Sequence, residues 1–285
     1  MKIKELLESG KITLSFEVFP PKKAEGFASV KAAAETIGDL HPDFMSVTYG
    51  AGGTTASFTY ELAAELLHDD ITVMPHLTCV ASSREHVDRM LKTCEETGIE
   101  NIMALRGDLP ADIPIQKDFL HASDLIRYIR EKTDLCIGGA CYPEGHVESK
   151  NKKMDLHFLK EKQDAGCDFL TTQMFFDNNI FYNFLYRARE AGISIPILAG
   201  IMPITNARQL SRSVSLSGTA VPERLKAIVD MFGEKPEAMK QAGIIYASEQ
   251  IIDLIANNVR HIHVYSMNKP DIAAAIIANL SEVIR

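Results

Sequence analysis

Glu17 sits in the run SFEVFPPK, between Phe16 and Val18 and just before Phe19, Pro20 and Pro21. A carboxyl group in such apolar company is costly to ionise, because loss of water favours the neutral acid and raises its pKa toward neutrality. That setting suits a general acid; the alternative is a carboxylate paired with Arg106 or a lysine at the edge of the fold. In ALRGDLP, Gly107 lets the backbone approach a ligand closely, with Arg106 and Asp108 flanking it in opposite charge. Arg106 is suited to a phosphate or a pyrimidine oxygen and Asp108 to a polar heterocycle; a salt bridge closing a tight turn is the other reading. CYPEGHVESK brings Tyr142, Glu144 and His146 into one loop, fit either to line a cofactor pocket or to make a plain Pro-Gly turn. Gln173 ends an apolar run; its amide offers donor and acceptor to a pterin or flavin ring, or caps a backbone group.

His261 and His263 form an H-x-H pair whose side chains share one face of a strand. A catalytic zinc would need His76 as third ligand and an orienting partner, and no such carboxylate is evident, so core or rim histidines are expected and no metal. The five cysteines, Cys79, Cys94, Cys136, Cys141 and Cys167, form no C-x-x-C pair, which points to reduced thiols in a cytoplasm and away from structural zinc.

These side chains need elements to hold them. Eight β-rich runs are expected, at 13–19, 43–48, 72–78, 100–105, 135–141, 168–173, 196–201 and 260–265. Helical periodicity fills the intervals, at 25–39, 56–68, 84–97, 122–132, 152–165, 178–191 and 270–284. Ser83 reads as a cap opening 84–97, and Gly98 and Gly166 as helix ends needing positive φ. The interval 202–259 should hold extra helices, one capped by Thr219 and another over 236–257. Eight βα units in 285 residues predict a single-domain α/β fold over 1–285, a (β/α)8 TIM barrel. Neither G-x-G-x-x-G nor G-x-x-x-x-G-K-[ST] occurs, which disfavours an open dinucleotide-binding sheet. In a barrel, chemistry gathers at the carboxyl ends of the strands, where Glu17, Thr48, Tyr49, His76, Thr78, Arg106, Tyr142, Gln173, Tyr265 and Asn268 all fall.

Thirty basic against thirty-eight acidic residues give a net charge of −8, with no basic cluster, so nucleic acid is not an expected partner. No apolar run is long enough for a membrane helix. The opening MKIKELLESGK reads as a charged amphipathic turn rather than a secretory signal.

Taken together, SFEVFPPK, SVTYGAGG, PHLTC, ALRGDLP, YPEGH, TTQMFFD, GIMPITN and YSMNK, in this order from Phe16 to Lys269, closely resemble the methylenetetrahydrofolate reductase family. The resemblance implies a flavoprotein barrel that reduces 5,10-methylenetetrahydrofolate to 5-methyltetrahydrofolate. Hydride would pass from NADH or NADPH, or from a partner protein, through FAD in a ping-pong cycle. It implies Glu17 as general acid toward folate N10 and Asp108 as a carboxylate near flavin and folate, both catalytic. It implies Gln173 and Lys269 as further substrate contacts, and Thr48, His76, Arg106, Gly107, Asp108, Ala122, Tyr142, His146 and Lys162 as FAD contacts. Self-association into a homo-oligomer is expected, and regulation through a C-terminal domain is not. The chain departs from the pattern at Ser213, where some relatives carry a substrate-stacking aromatic, at Lys269, where an arginine is common, and at Glu161, where a relative has a base near the FAD phosphates. Two rival readings remain: a flavin-free pterin methyltransferase on the same scaffold, and a non-catalytic barrel subunit of a larger complex.

Overall fold

A closed ring of eight parallel strands forms because each apolar run can bury one face inside the ring and the other under a helix. The computed structural model describes residues 1–49, 56–80, 82–107 and 118–284. The strands are β1 (Thr13–Val18), β2 (Phe44–Val47), β3 (Val73–Thr78), β4 (Asn101–Leu105), β5 (Cys136–Cys141), β6 (Phe169–Thr172), β7 (Ile197–Ile201) and β8 (His261–Val264). They pair in sequence order, and β8 closes on β1 with Thr13 opposite His261 and Phe16 opposite Val264. The expected TIM barrel is the observed fold.

Helices follow the strands: α1 (Ile3–Glu8), α2 (Phe27–Gly38), α3 (Ala56–His68), α4 (Arg84–Thr97), α5 (Ala122–Lys132), α6 (Lys152–Asp164), α7 (Asn178–Glu190), α8 (Ala207–Ser217), α9 (Glu223–Phe232), α10 (Pro236–Ala256) and α11 (Pro270–Leu280). Ser83 opens and Gly98 ends α4, as their residue types predict. Ser83 accepts the His86 N–H at 3.3 Å, and Gly98 takes the left-handed conformation that ends α4. Thr219 does not cap a helix: α9 starts at Glu223 behind Pro222, whose ring presets the entry φ, while the Thr219 hydroxyl lies 2.7 Å from that of Ser217. The charged amphipathic turn at the amino terminus is a six-residue helix, α1.

Strand alternation divides the core in two. Leu14, Phe16, Val18, Met45, Val47 and their equivalents face outward into the helical layer. Phe44, Met74, Met103, Cys136, Phe169 and Leu198 fill the amino end of the barrel, where Ile3 and Leu7 of α1 join them as a plug. Asn101 holds the plug, accepting the Ile3 N–H at 2.7 Å and donating to the Val73 carbonyl at 3.2 Å. Above that apolar floor the inward positions turn polar: Ser15, Ser46, His76, Thr171 and His263 are all buried. The additional helices α8, α9 and α10 gather a smaller core of Met174, Phe176, Ile204, Leu210, Leu225 and Met239 beside the β6 and β7 ends. Among the described residues no helix is long and apolar enough to cross a membrane.

Gly200 in β7 marks where the wall has no room to spare. A Cβ there would lie 2.3 Å from the Thr172 carbonyl oxygen and 2.6 Å from the Tyr265 hydroxyl, which itself donates to that carbonyl at 2.5 Å. Gly200→Ala is therefore expected to destabilise the barrel by at least about 1–3 kcal/mol, the usual cost of overpacking. Urea unfolding measures this, and an unchanged midpoint would show that the wall yields at this point.

Candidate active site

Glu17 reaches from β1 into the carboxyl end of the barrel, its side chain 22% exposed. Its Oε2 lies 3.6 Å from His76 Nε2 on β3 and 3.8 Å from His263 Nε2 on β8. The Ser46 hydroxyl on β2 donates to Glu17 Oε2 at 3.4 Å and stands 3.2 Å from His263 Nε2. Ser15 donates to the Ile262 carbonyl at 3.1 Å and contacts His263 Nδ1 at 2.8 Å. With the single Ser15 proton spent on that carbonyl, the imidazole supplies the donor at Nδ1, which leaves Nε2 to face Ser46 and Glu17. Thr13 makes the matching contact with His261 Nδ1 at 3.0 Å, so both histidines of the H-x-H pair are engaged by hydroxyls. Among the described residues no group of three His, Cys, Asp or Glu side chains is disposed to hold a metal ion.

The electrostatics correct one expectation. Burial is the largest single influence on Glu17 and pushes its pKa up, but the neighbouring imidazoles of His263 and His76 and the Ser46 hydroxyl together outweigh it, and the carboxyl titrates below its ordinary value. Arg106 is not the partner: its guanidinium forms a two-pronged pair with Glu148, one arm at 2.9 Å. His76 is held down to about 4, by burial above all, although the Glu17 charge pulls the other way. Among the described residues its buried Nε2 has no hydrogen-bond partner, with Glu17 Oε2 the near carboxylate at 3.6 Å, so a polar atom is left for a ligand to satisfy.

A cavity of about 500 Å³ opens at the ends of β3, β4 and β5 against α5 and α6; Glu17 and His76 stand at the same end of the barrel but do not line it. Arg106, Gly107, Ala122, Tyr142, His146 and Lys162 line it, so six of the positions matched to FAD contacts converge on one space. Gly107 is there for cause: at φ +86° a Cβ would come within 2.9 Å of Thr78. The Lys162 ammonium donates to the Ala140 carbonyl at 2.7 Å, and burial lowers its pKa. Tyr142 and His146 meet edge to face, ring centroids 4.6 Å apart. The loop between β5 and α6 is therefore a pocket wall rather than a plain turn. Asp155 fixes it, accepting from the His146 N–H at 3.3 Å and the Ser149 hydroxyl at 3.0 Å, while Glu144 ties it to the Ala220 N–H at 3.1 Å.

Most other expected positions, His76 among them, lie outside the lining of this cavity. Thr48 is half-buried at the end of β2, its N–H on the Val18 carbonyl at 2.9 Å. Gln173 stands half-buried beyond β6, its Oε1 accepting the Met174 N–H at 3.0 Å. Lys269 is exposed just before α11. Its neighbour Asn268, at φ +54°, bonds both backbone groups of Phe19, at 2.9 Å and 2.8 Å, and so fastens the chain leaving β1. Ser213 is buried with its hydroxyl on the Met202 sulfur at 3.3 Å, and Glu161 lines the cavity while paired with His157 at 3.2 Å. Asp108 lies outside the described residues. Sequence reasoning missed Asp155, Glu148, Ser15 and Ser46. Asp155 alone carried a local signal, an acid in the first turn of a helix capped by Asn151.

The profile of the family described as methylenetetrahydrofolate reductase matches residues 2–281. The chain belongs to the methylenetetrahydrofolate reductase family. It is 35% identical over 295 residues to methylenetetrahydrofolate reductase (NADH) 1 of Arabidopsis thaliana, covering 98% of this chain and 50% of that protein. It is 34% identical to 5,10-methylenetetrahydrofolate reductase of Pectobacterium carotovorum subsp. carotovorum and 32% identical to that of Escherichia coli, in both cases covering 95% of this chain and 91% of the relative. The chain thus spans about half the length of the plant members of the family and nearly all of these two bacterial ones. Among solved structures, a Clostridium thermocellum protein described as binding two copies of 5-methyl-5,6,7,8-tetrahydrofolic acid superposes with a TM-score of 0.66 over 99% of both chains, at 16% identity, a likeness of fold.

His76 also makes a testable contribution to acid stability. Because its folded pKa, about 4, lies below the ordinary 6.5, the unfolded chain binds its proton first, and stability falls as pH drops from about 6.5 to 4. Replacing His76 with Gln should flatten the pH dependence of the urea midpoint across that window. An equally steep loss in the variant would mean that another group carries it.

Proposed function

We propose that this chain reduces 5,10-methylenetetrahydrofolate to 5-methyltetrahydrofolate, with FAD as carrier and NADH or NADPH as electron source in a ping-pong cycle. The observation that carries the reading is Glu17, a carboxyl held among two imidazoles and a hydroxyl, at the same end of the barrel as a cavity whose walls bear six expected cofactor contacts. Membership of the family supports it, as do the names of the two bacterial relatives of similar length. The folate in the Clostridium thermocellum protein and the NADH in the plant relatives' names agree with the substrate and donor.

The residues fit a flavin dinucleotide. The cavity lies within the usual 300–1,000 Å³ of cofactor sites. Arg106 and Lys162 supply positive charge for phosphates, Gly107 the close backbone approach, and the unpartnered His76 Nε2 a hydrogen bond to a ring heteroatom. When bound, FAD supplies the hydride chemistry. What remains for the protein is a proton. Breaking the carbon–nitrogen bond of the substrate's five-membered ring leaves charge on N10, and Glu17 donates to that nitrogen, a contribution of roughly 10² to 10⁴ in rate. The carboxyl must take up a proton before it can give one. A folate ring seated over the mouth removes the remaining exposure of Glu17 and strengthens burial, already the largest influence on it, so its pKa rises on binding. Ser46, between Glu17 and His263, offers a short path for that proton. Asp108, Gln173 and Lys269 belong to the folate side of this proposal, with Thr48 at the rim.

Glu17→Gln separates the half-reactions. Anaerobic mixing with NADH should bleach the flavin at near the wild-type rate, whereas reoxidation by methylenetetrahydrofolate should slow at least about tenfold. Unchanged reoxidation in a variant that keeps its flavin spectrum would remove Glu17 from the chemistry, and wild-type protein that cannot be loaded with flavin would end the reading altogether.

A further inference from the structure

The single proton of the Ser46 hydroxyl faces two acceptors. Glu17 Oε2 lies 3.4 Å from that oxygen on one side and His263 Nε2 3.2 Å on the other. At the far edge of the imidazole, Ser15 spends its own proton on the Ile262 carbonyl at 3.1 Å, so Nδ1 is the donor in the 2.8 Å contact between them. A neutral His263 therefore has no hydrogen on Nε2. Beside an ionised Glu17, the row of Nε2, Ser46 Oγ and Oε2 then contains one hydrogen for two contacts. One further proton completes the row, with Nε2–H donating to Ser46 and Ser46 to Glu17. The ring is 1% exposed, with Phe44 stacked on its face and Tyr265 edge-on, so bulk solvent does not make up the shortfall. The titratable groups that face it are Glu17 on β1, His76 on β3, and Tyr265 and His261 on either side along β8. His76 is held at about 4 by burial above all, and among the described residues no hydroxyl joins it to Glu17 across their 3.6 Å separation. Tyr265 is engaged by the Thr172 carbonyl and His261 by the Thr13 hydroxyl.

We propose that His263 stores the proton that Glu17 delivers, a positioning residue that acts through Ser46 rather than on the folate. The inference rests on the reading of Glu17 as the acid and deepens it, since it names where the proton waits. Before folate arrives, the pair stands as imidazolium and carboxylate. Folate over the mouth removes water from Glu17 and turns the balance against its charge. The Nε2–H bond of His263 then breaks as a bond forms to Ser46 Oγ, and the hydrogen that Ser46 carried passes to Glu17 Oε2. The products are a neutral imidazole, an unchanged serine and a carboxylic acid. Two opposite charges vanish together, which spares the covered site the cost of holding a desolvated ion pair. Below the imidazole the route is closed, because Ser15 is committed to the Ile262 carbonyl and Phe44 and Phe169 fill the floor. The proton therefore moves in one direction only, toward the mouth, and folate binding draws none from solvent.

The test counts protons. The full chain, loaded with oxidised flavin so that no turnover follows, is titrated with 5,10-methylenetetrahydrofolate in a calorimeter, in two buffers of different ionisation enthalpy. Wild type should bind with no net proton uptake. His263→Gln, whose amide still donates to Ser46 but stores nothing, should take up about one proton from solvent as Glu17 is neutralised; His263→Asn serves in its place if that variant does not fold. In the same variant NADH should reduce the flavin at near the wild-type rate. Reoxidation by the folate should slow about tenfold at about pH 8 and recover as the pH falls and solvent replaces the store. Slowing that is equal at every pH would mark a merely structural role and overturn the proposal. Uptake of about one proton by wild type would also overturn it, leaving Glu17 as an acid charged from solvent. No uptake by wild type and variant alike would overturn both readings, because Glu17 would then gain no proton on binding.

Discussion

A carboxylate held inside a barrel by neighbours that carry little permanent charge is the constraint on which the rest depends. Glu17 is buried enough for desolvation to dominate every other single influence, yet hydroxyl and imidazole partners keep it ionisable. That balance differs from a buried ion pair. Had Arg106 closed on Glu17, the pair would have been locked and the proton out of reach, because a desolvated guanidinium–carboxylate contact is broken only at a cost of several kcal/mol. Instead Arg106 is turned to Glu148, and Glu17 keeps partners that can each pass a proton.

The barrel makes this possible through its gradient of polarity. At the amino end the interior is closed by Phe44, Phe169, Met74 and the α1 plug, which keep water out from below. One layer higher, Ser15, His263 and Ser46 form a hydrogen-bonded chain, with Phe44 stacked on the imidazole at 5.9 Å. Only above that layer does the interior open toward solvent, at Glu17. Tyr265 lies over Gly200 at this height, edge-on to His263 and bonded to the Thr172 carbonyl, and the absence of a side chain at Gly200 is what admits it. Stability and reactivity therefore share the same layers.

Much of this was legible in the residues. The eight strands and the helices 56–68, 84–97 and 122–132 follow from periodicity and from caps such as Ser83 and Gly98, which are local interactions written in adjacent residues. So were the strand-end positions that converge on the cavity, because a barrel sends its strand ends to one rim. What escaped was nonlocal. The role of α1 depends on a floor of side chains from six strands, and the lowered pKa of Glu17 depends on Ser46 and His263, 29 and 246 residues away along the chain but on the two strands paired with β1. A serine in a strand carries no mark of the face it serves until the register is known. Thr219 misled for the converse reason: a good capping residue was overruled by Pro222 three positions on.

In the proposed cycle, folate binding protonates Glu17. Infrared difference spectroscopy of the flavin-loaded protein, recorded as the folate binds, reads that event directly. Protonation of Glu17 gives a new carbonyl stretch of a carboxylic acid, shifted by deuterium oxide and missing when Glu17 is replaced by Gln. A spectrum in which Glu17 remains a carboxylate from the free protein through the folate complex would contradict it.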